Sequence, residues 1–289
     1  MKLCLSCRTP FESTNWTCPH CGARPSVHEG FTCFAPHFAE SNEGSPQGVH
    51  HYFDSRQERS FWFRGRRRII QSLVGRYCPT MSSFLEVGCG PGYVLAGLRQ
   101  LFPEAKLVAS EIYLHGLHYA ARRVSQPVEF IQADCLALPY DREFDAVGAF
   151  DVLEHIDREG EAITEMRRAL KPDGLIFITV PQHPWLWSRV DEIDEHKRRY
   201  RPGELAARLQ DRGFSVLCDT SFVFFLLPAL MAQRLASNCT GTCYPDIEYA
   251  LPRPVDWLFE RVLDVERLAI GLGVRFPVGG SRVVVARRS

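Results

Sequence analysis

The chain has 289 residues, 34 Lys and Arg against 34 Asp and Glu, 45% hydrophobic residues and 11 cysteines. That length holds one large α/β core plus a small appendage, and the zero formal net charge argues against a polyanion as the general partner. No basic start with an apolar core and a small-residue cleavage site is present, and no window reaches the ~20 apolar residues of a membrane span, so the expected location is cytoplasmic.

Reduced or metal-bound cysteines are therefore expected before disulfides. Cys4-Leu-Ser-Cys7 and Cys18-Pro-His-Cys21-Gly22 form two C-x2-C knuckles, a spacing that brings four thiolates around one Zn2+. The expected ligands are Cys4, Cys7, Cys18 and Cys21, with His20 as a competitor inside the second knuckle. A ribbon over 1–28 has too little core to fold without metal. A redox role for either pair lacks the surrounding βαβ pattern. Cys33, Cys78, Cys89, Cys135 and Cys218 are scattered and read as structural, while Cys239 and Cys243 make a C-x3-C without partners.

Residues 29–55, rich in His, Gly, Ser and Pro, read as a connector or lid in which His50 and His51 have no special role. From 56 to 77 the pattern turns helical, with Phe61, Ile69, Ile70, Leu73 and Val74 apolar. The same stretch carries Arg56, Arg59, Arg64, Arg66, Arg67 and Arg68, interleaved with Phe61, Trp62 and Phe63.

Next comes Phe-Leu-Glu-Val-Gly-Cys-Gly-Pro-Gly: an expected strand over 83–87, then Gly88, Gly90 and Gly92, then a helix with Val94, Leu95, Leu98 and Leu101 on one face. Strand, glycine turn and helix make a nucleotide cradle, because glycine lets the backbone turn tightly and approach a ligand. Glu86 before the loop and Pro91, which lacks an amide donor, suit a cationic amino-bearing ligand better than a phosphate. This run resembles motif I of the class I S-adenosylmethionine methyltransferases.

The following strands extend the pattern. A second strand over 106–112 ends in Glu111, about 20 residues past the loop, where an acid can take both ribose hydroxyls. A third over 128–133 precedes Asp134 and Cys135, and the resemblance implies that Asp134 holds the adenine amino group. A fourth over 144–150 ends in Asp151, and a fifth over 174–180 follows Leu-Lys-Pro-Asp-Gly. Four acids at four consecutive strand ends, with Ile112 and Cys135 beside them, form the expected cofactor set. "FDAVGAFDVLEHI" and "RRALKPDGLIFITVP" look like the ubiquinone-biosynthesis-like branch of that superfamily. The implied fold is α/β: a Rossmann-like, mostly parallel sheet with an antiparallel last strand, carrying a small N-terminal zinc ribbon.

After the fifth strand, His183, Trp185, Trp187, His196, Arg199 and Tyr200 crowd one loop. Loops at the carboxyl ends of such strands form the ligand crevice, so this one is expected to line an acceptor pocket. For Arg199 and Tyr200 a bracing role is equally open. Residues 203–213 read as a helix, 214–222 as a strand and 281–287 as the last strand. The insert over about 223–279 has an apolar run whose first expected fate is core packing, with capping of the pocket, subunit pairing or peripheral membrane contact as alternatives. The methyltransferase domain then covers 56–289.

These observations point to S-adenosylmethionine-dependent methyl transfer, with His155 and His196 as the two candidate bases. His155 is equally open to a purely backbone-bonding role. A small-molecule acceptor or biosynthetic intermediate is expected. The alternative is RNA, since ribbon plus Arg-rich helix resembles ribosomal-RNA guanine methyltransferases with an N-terminal zinc module. Against it, the ribbon itself carries only Lys2, Arg8 and Arg24 as basic residues. A second alternative is a non-catalytic partner with this fold.

Overall fold

A computed structural model of the chain describes residues 1–41, 60–124, 127–240 and 251–289, without the side chains of 39–41 and 235–240. The connector from 42 to 55 with His50 and His51, Arg56, Arg59, the side chain of Cys239, and Cys243 lie outside the described residues. In chain order the elements are β1 (Lys2–Leu3), β2 (Pro10–Phe11), β3 (Ser26–His28), β4 (Phe31–Cys33), α1 (Pro36–Ser41), α2 (Phe61–Tyr77), β5 (Ser83–Val87), α3 (Tyr93–Leu101), β6 (Lys106–Glu111), α4 (Leu114–Arg123), β7 (Val128–Gln132) and β8 (Phe144–Phe150). They continue with α5 (Glu159–Ala169), β9 (Leu170–Pro181), α6 (Arg189–Ile193), α7 (Glu204–Gln210), β10 (Phe214–Phe222), α8 (Leu227–Thr240), α9 (Arg253–Gly271) and β11 (Ser281–Arg288).

A nine-stranded sheet runs β10-β11-β9-β8-β5-β6-β7-β4-β3. Strands β5 to β9 pair in parallel, and β11 lies antiparallel between β9 and β10. The fold is the expected mixed α/β class. Parallel strands need apolar residues on both faces. β5 and β8 meet this need: β5 is buried throughout, and β8 throughout but for the half-buried Asp145. β9 starts earlier than expected, at Leu170, and a register shift opposite Phe144 and Ala146 absorbs the Lys-Pro-Asp-Gly turn signal into the strand.

Residues 26–33, expected as the ribbon's end and the start of the connector, form a hairpin that extends the main sheet. Its β4 pairs in parallel with β7 through Thr32↔Ile131 and Cys33↔Gln132. A lone edge at β7 would leave its N–H and C=O groups unpaired, and the hairpin supplies partners. The buried Gln132 amide then bonds both backbone groups of Ala35, at 3.1 and 2.9 Å. Trp16 of the cysteine module packs edge-on against Phe34 and Tyr140, and its indole N–H donates to Glu129 at 3.1 Å.

Ser60 caps α2 by accepting from the Trp62 amide. The helix lies on α9 so closely that a Cβ at Gly65 would fall 2.4 Å from Leu263. Asp256, Glu260 and Asp264, four residues apart along one face of α9, meet its arginines. Arg64 binds Asp256 and Glu260, and Arg68 binds Glu260 and Asp264. The guanidiniums of Arg64 and Arg68 are thus spent inside the fold rather than offered to phosphates. Only part of the insert is core: Trp257, Leu258, Val265 and Leu268 face outward on α9. No helix among the described residues is long and apolar enough to cross a membrane.

The centre of the sheet tolerates no added volume. A Cβ at Gly148 of β8 would lie 2.7 Å from the rings of both Phe84 and Phe150. Gly148→Ala is expected to cost about 1–3 kcal/mol by overpacking, read as a lower denaturation midpoint with an unchanged m-value.

Candidate active site

The four strand-end acids converge on one cavity of about 1070 Å³ at the carboxyl edge of the sheet. Glu86, Glu111, Asp134 and Asp151 all line it, together with Gly88, Gly90, Ile112, Cys135, His155, His196 and Arg199. The glycine loop takes the left-handed conformation three times, at φ +67° for Gly88, +49° for Gly90 and +75° for Gly92. A Cβ on Gly88 would meet Val152 at 2.6 Å and one on Gly92 the Ala120 backbone at 2.9 Å, whereas one on Gly90 meets nothing within 4 Å. Gly90 therefore presents bare backbone to open space, while Gly92 serves the packing of α3 on α4.

Glu111 fixes this loop. Its carboxylate accepts from the Gly90 amide at 2.9 Å, and from Ile112 and Tyr113 at 2.8 and 3.3 Å. Asp134 accepts from the Leu136 amide at 2.9 Å. Asp151 sits at φ +57°, a strained backbone for a non-glycine residue, and pairs with Arg66 at 2.6 Å. Glu86 is different: one of its oxygens is buried with no hydrogen-bond partner among the described residues. Burial, helped by the Glu111 charge against the pull of Arg66, pushes its carboxyl up to about 8. Burial also raises the Cys135 thiol to about 12 and the Cys89 thiol well above its usual value, so neither is a thiolate nucleophile.

His155 and His196 meet edge-on with ring centroids 4.8 Å apart. Burial and the neighbouring His196 lower His155 to about 4, which leaves it neutral at physiological pH. His196 is held by Asp191, whose fully buried carboxylate bonds its Nδ1 at 2.8 Å and accepts from Arg199 Nε at 2.6 Å. Burial opposes ionisation there, but the His196 hydrogen bond and the Arg199 charge hold Asp191 well below the usual carboxylate range. Asp191 escaped the sequence reading. Its signal was the Ser188-x-x-Asp191 capping box, which the structure contains. Glu154, fully buried in the same cavity wall, was also missed, although it stands beside His155 in the "VLEHI" run.

Of the loop residues expected at the acceptor, His183, Trp185, Trp187 and Tyr200 do not line the cavity. Trp185 is 56% exposed and stacks on His183, and Trp187 is 38% exposed. Tyr200 is fully buried and donates to Glu159 instead. The cavity's apolar wall comes from Phe61 and Phe63 of α2, Leu226 and Leu230 of the insert, and Phe259 of α9.

In the cysteine module, the Sγ atoms of Cys4, Cys7, Cys18 and Cys21 all lie within 4.8 Å of one another, and His20 stays out of the group. The cross pairs Cys4–Cys21 and Cys7–Cys18 approach to 3.6 and 3.7 Å.

A strand, a triple-glycine turn and four strand-end carboxylates around one cavity define the nucleotide-binding half of a methyltransferase-type fold. Residues 55–219 match the family described as a methyltransferase domain, and the chain belongs to that family. It is similar to the trans-aconitate 2-methyltransferase of Azoarcus sp., 29% identical over 145 residues that cover 50% of this chain and 54% of the relative. It also resembles the malonyl-[acyl-carrier protein] O-methyltransferase of Halalkalibacterium halodurans, 29% identical over 34% of this chain and 38% of that one. The match to the Azoarcus protein thus spans about half that relative's length. Among solved structures, the complex of the Haloferax volcanii Trm112 methyltransferase activator with a methyltransferase superposes with a TM-score of 0.54 at 16% identity, over 83% of this chain and 93% of that chain. The [4+2]-cyclase SpnF gives 0.54 at 22% identity, over 84% of this chain and 96% of that chain. One of these two folds is named a cyclase, so the fold alone does not decide chemistry, and the site must.

Glu86 yields a signed pH dependence. Its carboxyl stays protonated in the fold up to about 8 but ionises near 4.5 when unfolded. Its contribution to stability is therefore fully present below 4.5 and declines as pH rises toward 8. Glu86→Gln is expected to flatten that part of the stability curve, measured by denaturant melts from pH 4 to 9. An unchanged slope would place the buried proton elsewhere.

Proposed function

We propose that this protein transfers a methyl group from S-adenosylmethionine to a small-molecule acceptor seated in the apolar half of the cavity. The carrying observation is the buried, unpartnered Glu86 oxygen beside bare Gly90 backbone. A carboxylate there invites a cation with an amino group, and a Cβ there would fill the space. The donor set fits the cofactor. Glu86 would take the amino group, the loop from Gly88 to Gly92 the chain beside it, Glu111 the ribose hydroxyls and Asp134 the adenine amine, with Ile112 and Cys135 flanking the base. When bound, S-adenosylmethionine supplies an activated methyl sulfonium. The protein's own work is alignment and exclusion of water. Arg66 holds Asp151 in its strained position, and Asp191 orients His196 beside the neutral His155.

A small acceptor is favoured over RNA because Arg64 and Arg68 are tied to α9. The names of two relatives, trans-aconitate and malonyl-[acyl-carrier protein] methyltransferases, support the same reading. The passages around Asp151 and β9 support a place in the ubiquinone-biosynthesis-like branch. Arg199 and His196 at the cavity wall fit acceptor contacts, while His183, Trp185, Trp187 and Tyr200 fit the brace. The whole is read as a catalytic domain over 56–289, with the insert at 223–279, in a cytoplasmic setting that keeps thiols reduced.

We also assign the four clustered cysteines to one structural Zn2+. Thiolates about 2.3 Å from a tetrahedral ion stand roughly 3.8 Å apart, close to the 3.6 and 3.7 Å found for the cross pairs. Purified protein is expected to carry about one zinc per chain, and Cys18→Ser to lose it, by elemental analysis. Metal-free wild type prepared without chelator would remove the assignment.

The functional test combines binding and transfer. Gly90→Val should abolish S-adenosylmethionine binding in calorimetry on protein shown by circular dichroism to be folded at the assay temperature, the strain of Val at φ +49° lowering the melt. Labelled methyl groups incubated with a cell extract should appear in the small-molecule fraction. Incorporation confined to RNA would overturn the acceptor class, and wild-type affinity in Gly90→Val would overturn the cofactor site.

A further inference from the structure

One cluster in the cavity is not needed to hold the cofactor. Glu154, His155 and His196 each offer one ligand atom, and those atoms all lie within 4.8 Å of one another. Glu154 is fully buried, yet neither of its carboxylate oxygens has a hydrogen-bond partner among the described residues. Leaving such a group unpaired costs far more than leaving a surface acid unpaired. No cation among the described residues forms an ion pair with it, and Arg66 and Arg199, the nearest positive influences, engage Asp151 and Asp191.

Each of the two histidines has one ring nitrogen already fixed by a second residue. His196 gives its Nδ1 to Asp191, which leaves Nε2 for a ligand. His155 is bonded through its ring to the Asp194 backbone, so one of its nitrogens is fixed as well. Anchoring the far nitrogen of each imidazole to a carboxylate or a carbonyl is how ligating histidines are oriented. Here the anchors come from a different segment, 191–196, than the 154–155 pair. The site therefore closes across two chain segments.

We infer that Glu154, His155 and His196 bind a divalent transition-metal ion at the acceptor end of the cavity, with Asp191 orienting His196 from behind. Two imidazoles and one carboxylate suit Mn2+, Fe2+, Co2+ or Zn2+ and leave coordination positions open. Three ligand atoms at about 2.0–2.2 Å from one ion stand roughly 3–3.8 Å apart, so a set within 4.8 Å closes with shifts of up to about an ångström. The open positions face a cavity already walled by apolar side chains. The acceptor class this implies is an apolar molecule that carries oxygen donors for the ion. The inference rests on the methyl-transfer reading for what the ion would bind, not for whether the ion binds.

Mn2+ is the probe, because hard oxygen and imidazole ligands hold it and the thiolate module does not compete for it. Free Mn2+ is followed by its paramagnetic resonance signal during titration into zinc-loaded full-length protein, with S-adenosylmethionine affinity measured on the same preparation. Wild type is expected to remove about one Mn2+ per chain from solution. Glu154→Gln, which keeps the size and shape of the side chain, should bind at least 100-fold more weakly. Asp191→Asn should weaken binding about 10- to 100-fold as an orienting residue. No binding by wild type at millimolar Mn2+, or equal binding by Glu154→Gln, overturns the site. If the cofactor binds and Mn2+ does not, the metal inference alone fails. If Mn2+ binds and the cofactor does not, the methyl-transfer reading fails and the site stands.

Discussion

The structure depends on what it costs to gather carboxylates. Five acids, Glu86, Glu111, Asp134, Asp151 and Glu154, open onto one cavity with little water to screen them. Each has a different solution. Glu111 accepts three backbone amides, Asp151 pairs with Arg66, and Asp134 is tied to the turn behind it. Glu86 and Glu154 have no such compensation and are driven toward the neutral form. These differences divide the cavity into finished walls and unfinished ones, and ligands belong at the unfinished ones.

The parallel core was legible because its signals are local. An apolar run that enters glycines at alternate positions needs no tertiary information, and three left-handed residues at 88, 90 and 92 explain why no other residue type is found there. The acids at strand ends were legible for the same reason. Which of its open fates the insert meets was not, since Phe259 reaches the cavity only after α9 docks on α2 through ion pairs between residues almost 200 positions apart. The outward-facing Trp185 and Trp187 misled in the opposite sense. Aromatic content suggested a pocket, but side-chain direction in that loop is set by His183 at φ +64°, a conformation no periodicity announces.

The arginine-rich helix shows how composition can mislead about partners. Six arginines in thirteen residues resemble a phosphate-binding face. In the fold, Arg64 and Arg68 face a matching row of acids on α9, and the Arg67 guanidinium lies over the Tyr93 ring at 4.4 Å. The charges serve to fasten the insert over the cavity. A single sequence shows one half of such a pair at a time, and the matching half here lies beyond residue 250.

The hairpin at the sheet's edge bears on how the chain assembles. Gln132 joins Ala35 across 97 positions, and the β3–β4 hairpin has no seat on the main sheet until β7 is in place. Contacts of such long sequence separation must close a large loop before they are rewarded. During synthesis the cysteine module emerges well before its seat on the sheet, which does not exist until more than a hundred further residues have been made. Until it docks, the edge of β7 stays open to pairing with other chains.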